Sequence, residues 1–140
     1  MRQFRSLFRV ETDADSGIMS IYGEKGTHDY PSMMVRREGE HVLMSSNYGP
    51  IELALRLPYD ELAQTIARLN PVDGPITTRQ VGSTEAYLSL GLRSDGSLLM
   101  RPTLASDARG HLTFNLSLPA EARQALCAWL HIEVPQETAS

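Results

Sequence analysis

The sequence holds one cysteine, Cys127, one lysine, Lys25, and one tryptophan, Trp129. A lone cysteine excludes an intramolecular disulfide and any multi-cysteine metal site. A chain without disulfides agrees with a cytoplasmic location. Aromatic residues make up only 6% of the chain. No apolar run approaches the roughly 18 residues that a membrane span needs, so no membrane association is expected. The basic start, Met1 to Arg9, has neither a long apolar core nor a small-residue cleavage site and reads as mature protein.

Catalytic and metal signatures are also missing. His28, His41, His111 and His131 never fall three or four residues apart, and neither HExxH nor CxxC occurs. That spacing predicts no metal site. There is no GxSxG elbow and no Walker loop, and Gly23-Glu-Lys-Gly26 is too short and too acidic to cradle a phosphate. The carboxylate pairs Asp13/Asp15 and Asp60/Glu61 read as turn and helix-start chemistry. No catalytic residue, cofactor or metal is therefore expected, and the chain reads as non-enzymatic.

What is present is an ordinary globular composition: 140 residues, 41% apolar and 21% charged, with a net charge of −4. The expectation is one domain over residues 1–134, with 135–140 as a flexible tail. The acidic balance disfavours nucleic acid as a partner. The positive charge is almost all arginine, twelve residues against the single lysine.

Two segments match. Ile51 to Leu57 alternates apolar with polar or small residues, meets Pro58, and enters a helical pattern over 59–69. Leu112 to Leu118 does the same, meets Pro119, and enters a helical pattern over 120–130. Period-2 alternation predicts strands, and the proline disfavours helix before itself while presetting φ for the helix that follows. Asn70-Pro71 ends the first helix, and Val72-Asp-Gly-Pro75 reads as a linker.

Further strands are predicted over 2–12, 18–23, 32–37, 41–45, 76–80, 85–93 and 97–104. Asp95-Gly96 supplies a strong hairpin signal, and Pro102 suggests an edge or a bend late in its strand. The expected fold is α+β: one antiparallel sheet of about seven or eight strands with two helices packed on one face. It is organised as a pseudo-two-fold repeat with halves at about 1–72 and 73–134. The predicted core is Phe8, Val10, Leu53, Leu55, Leu57, Leu62, Ile66, Leu69, Leu88, Leu90, Leu92, Phe114, Leu116, Leu118, Leu126 and Leu130.

With helices on one face, the other is free. Arg5, Leu7 and Arg9 are expected there on the first strand, Tyr87 and Arg93 on the long strand, and Leu99 and Arg101 on the next. Arginine and tyrosine with little lysine is the composition of a protein–protein interface core. Met33 and Met34 beside Arg36 and Arg37 form a second candidate patch, against a reading that puts Met33 in the core and leaves Met34 half exposed. The order of strands then helix, twice, resembles the single-stranded nucleic-acid-binding folds of the Whirly and PUR type. Short hairpins followed by an apolar helix are also similar to the chaperones of type III secretion effectors. The expected function is a protein-binding module, a homodimeric adaptor or chaperone-like protein whose partner is another protein or itself. The alternative, implied by the first resemblance, is a single-stranded nucleic-acid binder using the same face.

Overall fold

The computed structural model describes residues 4–23, 32–71, 78–106 and 109–132. Their strands form two sheets instead of one. The first holds five strands in a simple antiparallel meander: β2 (Arg9–Thr12), β3 (Met19–Tyr22), β4 (Met33–Glu38), β5 (His41–Tyr48) and β6 (Ile51–Pro58). The helix α1 (Tyr59–Ala67) follows directly. The second sheet takes β7 (Arg79–Gly82), β8 (Ala86–Leu92), β9 (Leu98–Ser106), β10 (Gly110–Thr113) and β11 (Leu116–Leu118), and then α2 (Ala120–Trp129) follows. Its sixth strand is β1 (Arg5–Ser6), which lies parallel to β11. Every other pairing is antiparallel.

The expected single sheet is corrected on two points. The N-terminal segment is two strands, because the chain leaves the six-stranded sheet after Ser6 and enters the five-stranded one at Arg9. Leu7 donates its N–H to the Ser117 carbonyl, whereas Phe8 donates to the Tyr22 carbonyl. At the far edge β6 touches β7 without joining its ladder. Splitting is the physical expectation for a strand count this high, since a twisted open sheet of about ten strands curls or divides and buries its apolar faces against each other.

Local chemistry explains the turns. Gly39 and Gly96 adopt positive φ, +60° and +89°, in the tight connections β4–β5 and β8–β9. Such angles cost glycine nothing. Pro102 is not at an edge: β9 is paired on both sides. Thr113 faces Thr103 and Leu116 faces Met100, so β10 and β11 keep one register along β9. The interruption between them falls opposite Pro102, which has no N–H to give the ladder. The Phe114 N–H still donates to the Pro102 carbonyl at 3.2 Å.

Both helices start as the prolines predict, although Pro58 and Pro119 stand at the cap position, in extended conformation, and not within the first turn. Neither helix has a side-chain cap, and Asp60, Glu61 and Glu121 supply first-turn negative charge instead. The Tyr59 hydroxyl donates to the Leu130 carbonyl, joining the start of α1 to the end of α2. The Trp129 indole N–H donates to the Gly17 carbonyl at 2.7 Å, tying α2 to the β2–β3 turn.

One apolar cluster unites both sheets and both helices. It includes Ile21, Val35, Met44 and Leu55 from the first sheet, Leu88, Leu90, Met100 and Leu118 from the second, and Leu62, Ile66, Leu126 and Leu130 from the helices. Of the predicted core, Val10, Leu69 and Phe114 are only partly buried, and Phe8 is 48% exposed. In its place Leu7 is fully buried. Met19 and Met44 were not predicted as core and are fully enclosed, as is Met33, for which the core was one of the two readings. Four segments of the sequence reading lie wholly or largely outside the described residues: the 24–31 loop, the 72–75 linker, the start of the 76–80 strand and the 135–140 tail.

Candidate partner-binding face

Strand pairing assigns each side chain of the six-stranded sheet to a face. Leu88 faces Pro102, Leu90 faces Met100 and Leu92 faces Leu98, and these residues point to the core. The alternate residues form the outer face, on which Tyr87 is opposite Thr103, Ser89 opposite Arg101, and Gly91 opposite Leu99. Arg93 continues the same row of alternate positions and bonds Ser97 across the turn. Tyr87, Arg93, Leu99 and Arg101 are therefore brought together on one face, as the alternation predicts.

The three N-terminal candidates are not on it. Arg5 is paired with Leu116, which puts it on the core side at the rim of the sheet. There its guanidinium reaches the Asn47 carbonyl at 3.2 Å and sits 5.7 Å from the centre of the Tyr48 ring. Leu7 is inside the core. Arg9 belongs to the other sheet, 4.0 Å from the Tyr22 ring centre and 3.6 Å from Glu11. The local pattern gave no sign of the change of sheet at Leu7 and Phe8.

Two further groups complete the outer face. Phe4 precedes β1, and the Arg93 guanidinium lies 5.7 Å from its ring centre. The pairing places Leu99 and Ser117 between the strands that carry those two residues, and they are only 6% and 7% exposed. Leu99 is thus sheltered and not an open contact. Asn115 stands in register opposite Arg101, from the shared alignment of β10 and β11 along β9. The Arg101 Nε and the Asn115 Oδ1 are both buried and have no hydrogen-bond partner among the described residues. The Thr103 and Thr113 hydroxyls bond each other at 3.1 Å.

Charge distinguishes the two sheets. None of β1, β7, β8, β9, β10 or β11 contains an aspartate or glutamate. The five-stranded sheet carries Glu11, Glu38 and Glu52, and Glu38 ties up Arg36 at 2.6 Å and Arg56 at 3.8 Å. The Met33–Arg37 patch is divided: Met33 is core, Met34 and Arg36 face outward, and Arg37 stacks 3.5 Å from the Tyr59 ring centre.

A cleft of about 420 Å³ lies apart from this face, between α1 and β7. It is lined by Glu61, Gln64, Thr65, Arg68, Arg79 and Gln80, and Glu61 accepts the Gly82 N–H at 3.3 Å. Nothing in that lining pairs a nucleophile with a base. Among the described residues no three of histidine, cysteine, aspartate and glutamate converge as a metal site would require, and no helix is long and apolar enough to cross a membrane. Burial pushes the Cys127 thiol above its ordinary pKa, against a smaller opposing effect of Arg123. A thiol so held is a small core hydrophobe and a poor nucleophile. No family model, curated protein or solved structure matches the chain.

Proposed function

We propose that this chain is a non-enzymatic protein-binding module that docks its partner on the outer face of the six-stranded sheet. The observation that supports this most is the convergence of Tyr87, Arg93 and Arg101 on one face of a sheet whose strands hold no carboxylate. Arginine and tyrosine are the residue types that anchor protein interfaces. Arg93 is already held against Phe4, so less conformational freedom is lost when it engages a partner. In this reading the two strand–proline–helix halves form a pseudo-two-fold pair, and the protein acts in the cytoplasm as an adaptor or chaperone, on another protein or on a second copy of itself.

The nucleic-acid reading is favoured by one observation, the order of strands then helix in each half. It is weakened by two others. Single-stranded binding uses open aromatic faces, and the rings of Phe4, Tyr22, Tyr48 and Tyr59 each carry an arginine of this chain. The net charge of −4 also repels a polyanion.

A photo-crosslinking residue at Tyr87, with Ser20 on the other sheet as control, tests the proposal. The expected result in host extract is a polypeptide adduct at position 87 and none at 20. An adduct to nucleic acid at 87, or polypeptide adducts at 20 alone, would refute it.

A further inference from the structure

One side of β10 is unused. The strand pairs with β9 along its inner edge, and β1 lies only beside β11, with Arg5 opposite Leu116. The Phe114 N–H donates inward, to the Pro102 carbonyl. In an antiparallel ladder this direction alternates from residue to residue, so Leu112 also bonds inward while His111 and Thr113 turn their N–H and C=O outward. Asn115 and Ser117 keep the same phase, and their carbonyls accept the Arg5 and Leu7 N–H groups. Beside β10 no strand takes up the outward groups among the described residues. The other long edges differ. β2 lies against α2, β6 against β7, and β7 against α1. All three also carry arginine or glutamate, charges that keep strand edges apart. β10 holds no lysine, arginine, aspartate, glutamate or proline.

The apolar side of β10 is equally unfinished. Leu112 is opposite Leu104, which continues the core-facing row of β9. Yet Leu104 is 39% exposed and Leu112 is only half-buried. Gly110, two residues before Leu112 and on the same side, has open space where a side chain would stand. Phe114, two residues after it, is partly buried.

We infer that two copies of this chain join edge to edge through β10, antiparallel about Leu112, in one continuous sheet with six strands from each copy. In that register the edge complements itself. His111 of each copy exchanges both backbone bonds with Thr113 of the other, so every outward group of the strand is satisfied. Leu112 meets Leu112 in a non-hydrogen-bonded pair, where Cα atoms stand about 4.5 Å apart and side chains are closest. Phe114 of each copy lies over Gly110 of the other, a ring filling the space glycine leaves. A shift of one residue would set inward-bonding groups against outward ones. A shift of two puts His111 against Asn115, which Arg5 already occupies, or Thr113 against Arg109, outside the strand. No charged residue of the strand meets a like charge across the seam. An interface this narrow is weak and reversible. The two-fold axis of an antiparallel pair runs through the sheet, so both outer faces look the same way. The inference is independent of the docking reading, since the outer face stays open in one copy or two.

Sedimentation velocity of the full chain over a wide dilution series tests this. A monomer–dimer equilibrium is expected. His111→Pro removes an outward N–H and leaves the bonds to β9 intact. It should weaken the dimer roughly tenfold or more, because the symmetry counts the lost bond twice. Arg36→Ala, on the other sheet, should leave the equilibrium unchanged. Leu112→Cys places two thiols across the axis and should give a disulfide-linked dimer on mild oxidation, whereas Ser20→Cys should not. Should His111→Pro fail to fold by circular dichroism, the cross-link at position 112 carries the decision. A chain that stays monomeric at every concentration overturns the inference. So does a dimer that a folded His111→Pro leaves at full strength, or a cross-link that forms as readily at position 20 as at 112.

Discussion

Leu7 and Phe8 are neighbours with opposite fates. The alternation of Phe4, Phe8 and Val10 suggested one apolar face, but Leu7 supplies an equally apolar residue in the opposite phase. Nothing local decides between the two phases, and the contact that does, Leu7 to Ser117, spans most of the chain. Truncation should reveal the difference. Leu7→Ala is expected to cost about 2–5 kcal/mol in urea unfolding, as for other buried leucines, while Phe8→Ala should stay within about 0.5 kcal/mol. A second residue-level effect concerns acid. The Ser97 N–H, donated at 2.8 Å, holds the Asp95 carboxyl below its ordinary pKa, with the Ser97 hydroxyl adding to this. The Asp15 N–H does the same for Asp13, helped by Ser16. A depressed folded-state pKa contributes stability that is fully present above the unfolded aspartate value and is lost as pH falls through the folded one. Asp95→Ala should therefore flatten the acid limb of a stability–pH profile and lower stability at neutral pH. An unchanged acid limb would contradict the assignment.

Among the elements, the strands with one buried face were the most legible. Leu53, Leu55 and Leu57 alternate with exposed residues, and the core positions of β5 alternate with half-buried ones. The helices ended within two residues of their expected limits, because proline marks each start unambiguously. Pro102 misled, since the usual rule places proline at an edge, yet a central strand can lose one donor if its neighbour's ladder is interrupted there. A glycine at the end of β7 lies close against Leu57 of β6. Gly82 has φ +115°, and a Cβ there would stand 2.6 Å from the Ala86 carbonyl oxygen and 3.3 Å from Leu57 Cδ2. Gly82→Ala should destabilise by about 2 kcal/mol or more, read as a lower urea midpoint, since both backbone angle and space oppose it. Glu61 loses its bond to the Gly82 N–H if that turn shifts.

For the molecule as a whole, the strand–helix order was readable and the division into two sheets was not. Alternation reports which way a side chain points, not which distant strand it pairs with. The same limit governed the candidate face. Tyr87, Arg93, Leu99 and Arg101 share it because they lie on two strands of one hairpin, where register follows from the turn. Arg5 and Arg9 required knowledge of pairing with residues more than a hundred and about a dozen positions away, respectively, and went elsewhere. The pairing of β1 with β11 has a consequence for how the chain is made. β1 finds its neighbour only after more than a hundred further residues have emerged from the ribosome. The five-stranded meander and α1 can assemble early from contacts close in sequence, while Arg5 and Ser6 wait in solution until Leu116 and Ser117 arrive. Closure of the six-stranded sheet is thereby deferred until β11 is available, when segments more than a hundred residues apart meet side by side.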